Sequence, residues 1–341
     1  ERWSHGRLAA LAPLLPERLR QGRVRECHGD LHLGNLALLE GRITVFDALE
    51  FNPALRWIDG ISELAFLVMD LQQAGEAGLA NRLRNRWLEH SGDYEGLRLW
   101  RWYAAYRALV RAKVAVLRAL QQRPDPLGDA AVAAEVERYV AHAEAQRQPQ
   151  PRAVVLTHGV SGAGKSHHAL ALCSAGELEL IRLRSDVERK RLAGLWGEPL
   201  LPACPEASPL YGEAMDRRLF EQRLPELAEA VLEGGFLPLV DATFLRREQR
   251  QAWAQRAAHW GVPLVILSFT TPPELARRRV ERRQAAGRDP SDADVAVLEQ
   301  QWSRLEPLDP EEQALAIRVV PDQDPAQTAA ALKDRLGAGM A

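Results

Sequence analysis

The sequence predicts an α/β chain of two different parts, a mainly helical first half and a second half with a parallel sheet covered by helices. In the first half, apolar side chains recur at helical spacing over residues 94–120, at Leu99, Tyr103, Tyr106, Val110, Val114 and Leu117. In the second half, five short apolar runs alternate with helical segments, namely AVVLTH, LELIRL, FLPLVD, VPLVILSF and AIRVV. Gln148–Pro151 separates them, and its prolines break helices. We therefore expect domains over 1–148 and 152–338.

Composition narrows the functional classes. The chain has 341 residues, 46% of them hydrophobic and 26% charged, which fits about two globular domains. A net charge of −2 argues against a dedicated nucleic-acid binder. Cys27, Cys173 and Cys204 are too few for a disulfide framework and lack metal-ligand spacing, so we expect a reducing cytoplasm. The apolar runs fall short of the roughly twenty residues that span a bilayer, and we expect no membrane partner.

The first half contains a candidate catalytic loop. The stretch from Cys27 to Asn35 reads CHGDLHLGN, and the strand-like run RITVFD ends at Asp47. His-x-Asp-x-x-x-x-Asn is the spacing of the protein-kinase catalytic loop, in which the aspartate accepts the proton of the substrate hydroxyl. The asparagine and a later aspartate at a strand end bind Mg²⁺ there. Asp30 is therefore a candidate catalytic residue, and Asn35 and Asp47 are candidate metal ligands.

With Gly29 in place of the arginine, HGDLHLGN resembles the aminoglycoside phosphotransferase and choline kinase branch of kinase-like proteins. By this resemblance, Asp59 in RWIDGISELAFL would brace the catalytic loop, and residues 1–148 would form a C-terminal lobe. Kinases of this type also need a glycine-rich loop and a lysine before the catalytic loop. The 27 residues before His28 contain neither feature. We expect the lobe to lack its N-terminal partner, to come from a longer chain that begins before Glu1, and to bind nucleotide weakly by itself.

Other polar residues of the first half have a structural and a functional interpretation. We expect His28 to be a structural member of the loop and His32 to be a spacer. Arg107, Arg111 and Lys113 lie on the long predicted helix, where they either line a groove for an anionic substrate or form a solvated face. The solvated face is the favoured interpretation.

The second half opens on a phosphate-binding loop. Residues 159–166 read GVSGAGKS, directly after the run AVVLTH and before the helical segment HHALALC. In the pattern G-x-x-x-x-G-K-[ST], loop amides and the start of the next helix face phosphate oxygens. Lys165 would reach the β- and γ-phosphates of ATP, and the hydroxyl of Ser166 would bind Mg²⁺. The candidate nucleotide-binding residues are Gly159, Ser161, Gly162, Ala163, Gly164, Lys165 and Ser166.

Two aspartates follow predicted strands of the same sheet. LELIRL leads into Asp186, and FLPLV leads into Asp241. Ligands of open parallel sheets lie at the carboxyl ends of the strands, so both side chains are expected near the phosphate loop. Asp241 has the position of a Walker B metal ligand, and Asp186 is placed to accept the proton of an attacking hydroxyl. Alternatively, each aspartate caps the next helix. AIRVVPDQD is the expected base-binding segment, without a signature that separates ATP from GTP.

An arginine-rich segment, ELARRRVERR, follows the fourth strand, and the loop QAAGRDPSDAD comes after it. Arg279 and Arg283 are four residues apart and share a helix face, as do Arg278 and Arg282. One pair can therefore face the site while the other is solvated. Arginines on a lid would neutralise charge on the transferring phosphoryl group, so Arg279 and Arg283 are candidate catalytic residues. The alternative is a charged surface helix.

GVSGAGKS, RSDVERKRL, VDATFLRR and the arginine-rich segment resemble P-loop kinases of the zeta-toxin, gluconate-kinase, chloramphenicol-phosphotransferase and polynucleotide-kinase group, over roughly residues 152–335. The order of the two halves resembles the bacterial family of bifunctional aminoglycoside phosphotransferase/ATP-binding proteins. The resemblance implies an ATP- and Mg²⁺-dependent kinase with a small-molecule hydroxyl as acceptor. Two alternatives stay open. One is a nucleotide-dependent regulatory switch, which would not need Asp186 as a base, and the other is a 5′-hydroxyl nucleic-acid kinase.

Overall fold

A computed structural model describes residues 2–122, 130–196, 212–286 and 291–338. Cys204 and residues 287–290 of the loop after the arginine-rich segment lie outside the described residues. The chain divides into two compact units. The first unit comprises Glu1–Arg84 and Glu95–Gln150, and the second comprises Asn85–Tyr94 and Pro151–Ala341. Residues 85–94 therefore group with the second unit, although they lie far before it in the sequence.

The first unit is mainly helical. Its helices are α1 (Arg2–Leu11), α2 (Leu14–Arg20), α3 (Pro53–Arg56), α4 (Gly60–Gln73), the first part of α5 (Ala77–Ser91), α6 (Leu97–Gln122) and α7 (Ala130–Ala145). Two antiparallel strand pairs accompany them, β1 (Val24–Glu26) with β4 (Trp57–Asp59) and β2 (Leu36–Leu39) with β3 (Arg42–Val45). The strand predicted in RITVFD is β3, and Asp47 follows it.

Helix α6 confirms the long helix predicted over residues 94–120, but its buried face differs from the prediction. Tyr106, Val114 and Leu117 are exposed. Leu99 is buried as predicted, together with Leu97 and Trp100, and further along the helix the buried stripe is mainly alanine at helical spacing, namely Ala104, Ala108, Ala112, Ala115 and Ala119. Helices α4 and α7 pack on α6, with Phe66 and Tyr139 in the shared core. Alanine allows this close approach of helix backbones, so side-chain size rather than hydrophobicity selects the face that packs.

The second unit contains the predicted parallel sheet. Its strands are β5 (Val154–His158), β6 (Leu180–Arg184), β7 (Leu237–Asp241), β8 (Leu264–Phe269) and β9 (Ala316–Val319). They lie in the order β6-β7-β5-β8-β9, and every pair is parallel. All residues of β5, β6 and β7 are buried, which fits their mainly apolar sequences, and the buried polar residues include Arg182, Arg184 and Asp241. Arg184 is in register with Asp241, so the strands deliver their polar residues to one edge.

Helices surround this sheet. They are α8 (Lys165–Ser174), α9 (Ser185–Leu192), α10 (Glu213–Arg217), α11 (Leu224–Glu233), α12 (Arg247–His259), α13 (Pro273–Ala286), α14 (Val295–Ser303), α15 (Pro310–Leu315) and α16 (Pro325–Ala338). A π-helix, Arg218–Arg223, joins α10 to α11. The sheet shares a hydrophobic core with α8, α13, α14 and α16. Among the described helices, none combines the length and the apolar character that crossing a membrane requires.

Candidate functional site

The glycine-rich loop lies between β5 and α8, and its backbone requires glycine. Gly162 has φ +75° and Gly164 has φ +97°, both in the left-handed region. A Cβ atom on Gly162 would lie 2.3 Å from the carbonyl oxygen of Ala276 in α13. The loop therefore passes directly against α13 at a point where only glycine fits.

Lys165 is the first residue of α8 and is buried. Its Nζ donates a hydrogen bond of 2.7 Å to the carbonyl oxygen of Val160, within the loop. Burial lowers the pKa of Lys165 to about 8, and the positive charge of Arg283 adds to this effect, whereas the carboxylates of Asp241 and Asp186 oppose it. The buried ammonium is therefore placed to pair with a phosphate bound in the loop.

Ser166 and Asp241 meet at the base of the loop. The Oγ of Ser166 donates to Oδ1 of Asp241 over 3.0 Å. The other carboxylate oxygen, Oδ2, is buried and has no hydrogen-bond partner among the described residues, although Nε of Arg184 lies 3.9 Å away. An unsatisfied buried carboxylate oxygen beside a hydroxyl fits a site for Mg²⁺, which takes one or two protein oxygens together with phosphate oxygens and water. Within the described ranges, no group of three His, Cys, Asp or Glu side chains forms a metal site made of protein ligands alone.

A single cleft of about 1750 Å³ brings most of the predicted residues together. Asp186 lines it from the first turn of α9, where Ser185 Oγ donates to the carbonyl oxygen of Asp241 over 3.2 Å. The predicted residues along its walls are Ser161, Gly162, Ala163, Gly164, Lys165, Ser166, Asp186, Asp241, Arg279 and Arg283. Gly159 does not line this cleft, because its N–H donates to the carbonyl oxygen of Thr243 over 3.0 Å and so serves the loop's own fold.

The arginine-rich segment forms α13, and its two faces differ. Arg279 and Arg283 are half-buried and line the cleft, whereas Arg278 and Arg282 are exposed. Arg279 lies 3.5 Å from the carbonyl oxygen of Ala163 in the loop. The Nε of Arg283 is buried and no described residue accepts a hydrogen bond from it, while its Nη2 donates to the carbonyl oxygen of Ala293 over 2.6 Å. The inward pair thus approaches the loop from one side.

Sequence reasoning missed several polar residues around this site. Gln301 on α14 accepts a 2.7 Å hydrogen bond from the N–H of Ser161, so its side-chain oxygen lies where a phosphate oxygen would be expected. Glu89, from the last part of α5, accepts from Arg182 of β6 over 2.7 Å. Neither residue lies in a sequence motif. Each contacts the site only because the fold brings distant segments together. The expected base-binding segment does line the cleft, over residues 319–325.

The candidate loop of the first unit also assembles. The side-chain amide of Asn35 donates to the carbonyl oxygen of Asp30 over 2.9 Å, and the carbonyl oxygen of Asn35 accepts from Phe46 N–H over 3.1 Å. Asp47 directly follows Phe46, with φ 62° and an exposed side chain. A hydrogen bond from His32 lowers the pKa of Asp30 and keeps it ionised.

Glu63, on α4, is the carboxylate that braces this loop. It accepts hydrogen bonds from the N–H groups of His28 (2.8 Å) and Gly29 (3.2 Å). Asp59, to which the resemblance gave this role, instead pairs with Arg18 and caps α4 by accepting from the N–H of Ile61 over 2.9 Å. The two acidic residues are four positions apart, and the resemblance alone did not distinguish their roles.

The basic residues of α6 serve this loop as well. Arg107 is buried, donates to the carbonyl oxygen of Gly29 over 3.0 Å and lies over the ring of Phe66. Arg111 donates to Tyr139 Oη over 3.2 Å and lies 3.3 Å from Nε2 of His32. Neither the groove nor the solvated face that the sequence suggested is observed for these two arginines. His32 is more than a spacer, because it also accepts from the N–H of Gly34.

The strand, glycine-rich loop and helix at the centre of a five-stranded parallel sheet give the second unit the fold of the P-loop nucleoside triphosphatases. A family model described as an AAA domain matches residues 154–308, which agrees with this assignment. This match lies within the second unit, and the likeness of the first unit to a kinase lobe stays a prediction.

Curated relatives align over a larger part of the chain. Uncharacterized proteins of Mycobacterium tuberculosis and Mycobacterium bovis are 28% identical over 285 residues, which covers 83% of this chain. The chain spans 55% of the length of these relatives.

Solved structures that are similar to part of this chain include the following three proteins. The APS kinase CysC of Mycobacterium tuberculosis, in complex with AMPPNP and APS, is 21% identical over 55% of this chain and 99% of its own, with a TM-score of 0.38. Kti12 of Chaetomium thermophilum, in complex with ADP-AlF3, is 18% identical over 55% and 99%, with a TM-score of 0.41. A gluconokinase of Sinorhizobium meliloti is 20% identical over 55% and 97%, with a TM-score of 0.32.

Proposed function

We propose that the second unit is an ATP- and Mg²⁺-dependent phosphotransferase that moves the γ-phosphoryl group to a hydroxyl of a small molecule. The observation that carries the proposal is the convergence of Lys165, the Ser166–Asp241 pair, Asp186 and the inward arginines on one cleft. Phosphate-binding, metal-binding, basic and charge-neutralising groups are the parts that phosphoryl transfer requires.

Each residue has a separate role in this proposal. The loop amides and the Lys165 ammonium bind the β- and γ-phosphates, and Ser166 and Asp241 hold Mg²⁺. The metal, when bound, neutralises charge on the β- and γ-phosphate oxygens. Arg279 and Arg283 stabilise the charge that develops on the transferring group.

The transfer breaks the bond between the γ-phosphorus and the oxygen that bridges it to the β-phosphate. A new bond forms between that phosphorus and the acceptor oxygen, and ADP leaves. Asp186 takes the proton that the acceptor hydroxyl loses, since its carboxylate lies on the cleft wall at the carboxyl end of β6.

The acceptor would occupy the part of the cleft that extends from Asp186 toward α10 and α12. Arg189 and Asp216, which form a 2.6 Å ion pair, line this part together with the rings of Phe220 and Trp253. Such a wall combines charged and aromatic groups, which suits a compact polar molecule rather than an apolar one.

The test is acceptor-stimulated ADP release by the purified chain with Mg·ATP, against aminoglycosides, nucleosides, sugars and a 5′-hydroxyl oligonucleotide. Lys165→Ala should lower turnover by about 10²- to 10³-fold, because it removes a preorganised charge at the phosphates. Asp186→Asn should lower it by about 10²-fold or more while ATP binding is retained.

Three outcomes would contradict the proposal. Turnover that survives Lys165→Ala would show that the cleft does not use ATP as described. ATP binding that depends on Lys165 without stimulation by any acceptor, and without an effect of Asp186→Asn, would favour the regulatory switch. Stimulation only by the oligonucleotide, weakening steeply with salt, would indicate a nucleic-acid kinase.

For the first unit, we propose Asp30 as a second proton acceptor and Asn35 and Asp47 as its metal ligands. The backbone contacts between the Asp30, Asn35 and Phe46 segments support this placement. Asp30→Asn in the same assay, compared with Lys165→Ala, measures how much of the activity belongs to each unit.

A further inference from the structure

The segment 85–94 covers the open edge of the sheet in the second unit. Strand β6 lies at the end of the sheet order, and no strand in the described part of the chain pairs with its outer side. The side-chain amide of Asn85 donates to the carbonyl oxygen of Leu180 over 2.8 Å and accepts from the N–H of Arg182 over 2.8 Å. These are the groups that a further strand would bind, so Asn85 closes the edge with one side chain.

Glu89 lies one helical turn after Asn85 and is 2% exposed. Its Oε2 accepts from Nη2 of Arg182 over 2.7 Å, and its Oε1 lies 3.6 Å from Nη1 of Arg184. Both guanidinium groups are buried, with side-chain exposures of 8% and 9%. A carboxylate buried between two arginines has a strong electrostatic effect, because little water screens it.

Each of these arginines leads to one of the proposed metal ligands. Nη1 of Arg182 donates to the carbonyl oxygen of Ser166 over 3.1 Å. Nε of Arg184 lies 3.9 Å from Oδ2 of Asp241, the oxygen without a hydrogen-bond partner. The side chain of Arg182 therefore links Glu89 to Ser166, and the side chain of Arg184 links it to Asp241.

The end of α5 is fixed in this position by α9. Arg191 donates to the carbonyl oxygens of Glu89 (2.5 Å) and His90 (3.3 Å), which satisfies the open carbonyl groups at the helix end. A Cβ atom on Gly92 would lie 2.8 Å from the Arg191 guanidinium. This close packing keeps the Glu89 backbone, and with it the carboxylate, at the edge of β6.

We propose that Glu89 is a positioning residue of the phosphotransfer site and that segment 85–94 is a part of that site. This rests on the proposed function. Glu89 balances the charge of Arg184, so that Arg184 does not pair fully with Asp241 and the Asp241 carboxylate stays available for Mg²⁺. Without that balance, a buried arginine would compete with the cation for the same oxygen and repel it.

The test is Glu89→Gln in the full chain, with Mn²⁺ binding in the presence of ADP measured by electron paramagnetic resonance and the Mg²⁺ dependence of turnover measured alongside. The variant should weaken Mn²⁺ binding about five- to tenfold and raise the half-saturating Mg²⁺ concentration by the same factor. Turnover at saturating Mg²⁺ should stay within about twofold of the parent chain. Glu177→Gln, which removes an exposed ion pair with Lys333, is the matched control and should change neither quantity.

A charge-balanced variant separates positioning from structural support. Glu89→Gln combined with Arg184→Gln removes the competing cation and should recover most of the lost Mn²⁺ affinity, whereas a purely structural role predicts an additive loss. Unchanged Mn²⁺ affinity in Glu89→Gln, or no recovery in the double variant, would overturn the inference. If Glu89→Gln does not fold, the Mn²⁺ affinity of the double variant is compared with that of Arg184→Gln alone. Equal affinities would then support the inference, and a weaker affinity of the double variant would overturn it. Failure of the proposed function is recognised separately, by a parent chain that binds Mn²⁺ and ADP without turnover.

Discussion

At the scale of single residues, Lys165 places a buried positive charge beside the phosphate loop. The ammonium is buried and has the Val160 carbonyl oxygen as its hydrogen-bond partner, with burial lowering its pKa to about 8. Its ordinary pKa is 10.5, so the unfolded chain holds this proton more tightly than the folded chain does. Below pH 8, the charged Lys165 therefore lowers the free energy of unfolding. As the pH rises from about 8 to 10.5, the free energy of unfolding increases, because the folded chain loses this proton first.

Nucleotide binding should reverse this shift, because bound phosphate favours the charged lysine. We expect ATP binding to take up about three quarters of a proton at pH 8.5 and little at pH 7, with affinity falling as pH rises above 8. Isothermal titration calorimetry in two buffers of different ionisation enthalpy measures this uptake. Lys165→Arg keeps a permanent charge and is the control that should show no uptake. Equal proton uptake at pH 7 and 8.5 in the parent chain would contradict the expectation.

At the scale of elements, the phosphate loop is adapted to α13 as well as to phosphate. Position 162 is one of the unspecified positions of the motif, but its backbone, with φ +75°, favours glycine. The 2.3 Å approach of a Cβ atom to Ala276 O adds a second constraint, which no local pattern contains. Position 162 thus sets the distance between the loop and the helix that holds Arg279 and Arg283.

Gly162→Ala should therefore separate α13 from the loop in addition to straining the backbone. We expect the variant to lose about 2 to 4 kcal/mol of stability and most of its ATP affinity. Gly261→Ala is the matched control, since it has φ +66° and no atom within 4 Å of the added Cβ. The control should lose only about 1 kcal/mol and bind ATP normally. Chemical denaturation and ATP titration of both variants make the measurement, and equal losses would show that the approach to α13 is unimportant.

The elements also show what a sequence can and cannot specify. The apolar runs predicted all five strands, because strands inside a parallel sheet are rich in apolar residues, although β6 also contains the buried Arg182 and Arg184. The buried face of α6 was predicted wrongly at Tyr106, Val114 and Leu117, because hydrophobicity does not report which side chains are small enough for close packing. The bracing by Glu63 and the edge closure by Asn85 depend on contacts between distant segments, which periodicity does not encode.

At the scale of the whole molecule, the chain passes between its two units at residues 84–85, 94–95 and 150–151. The proline-rich sequence near residue 150 marks the last of these crossings by its composition. The first of these crossings falls inside α5, where the helical sequence is unbroken, and the second falls shortly after α5 ends at Ser91. A helix gives no compositional sign that its two ends belong to different cores. The structure was therefore needed to show that residues 85–94 belong to the second unit.

The assignment of residues 85–94 can be tested through the separate hydrophobic cores. Phe66 is fully buried in the core of the first unit, and Leu239 is fully buried in β7 of the second. Phe66→Ala and Leu239→Ala should each cost about 3 to 5 kcal/mol within their own unit. Hydrogen exchange measured by mass spectrometry should then show faster exchange in α4 for the first variant and in β5–β7 for the second. Because Asn85 and Glu89 bond to β6, peptides covering 85–94 should follow Leu239→Ala and stay protected in Phe66→Ala. Faster exchange of 85–94 in Phe66→Ala alone would place the segment with the first unit and remove the basis for its role at the phosphate site.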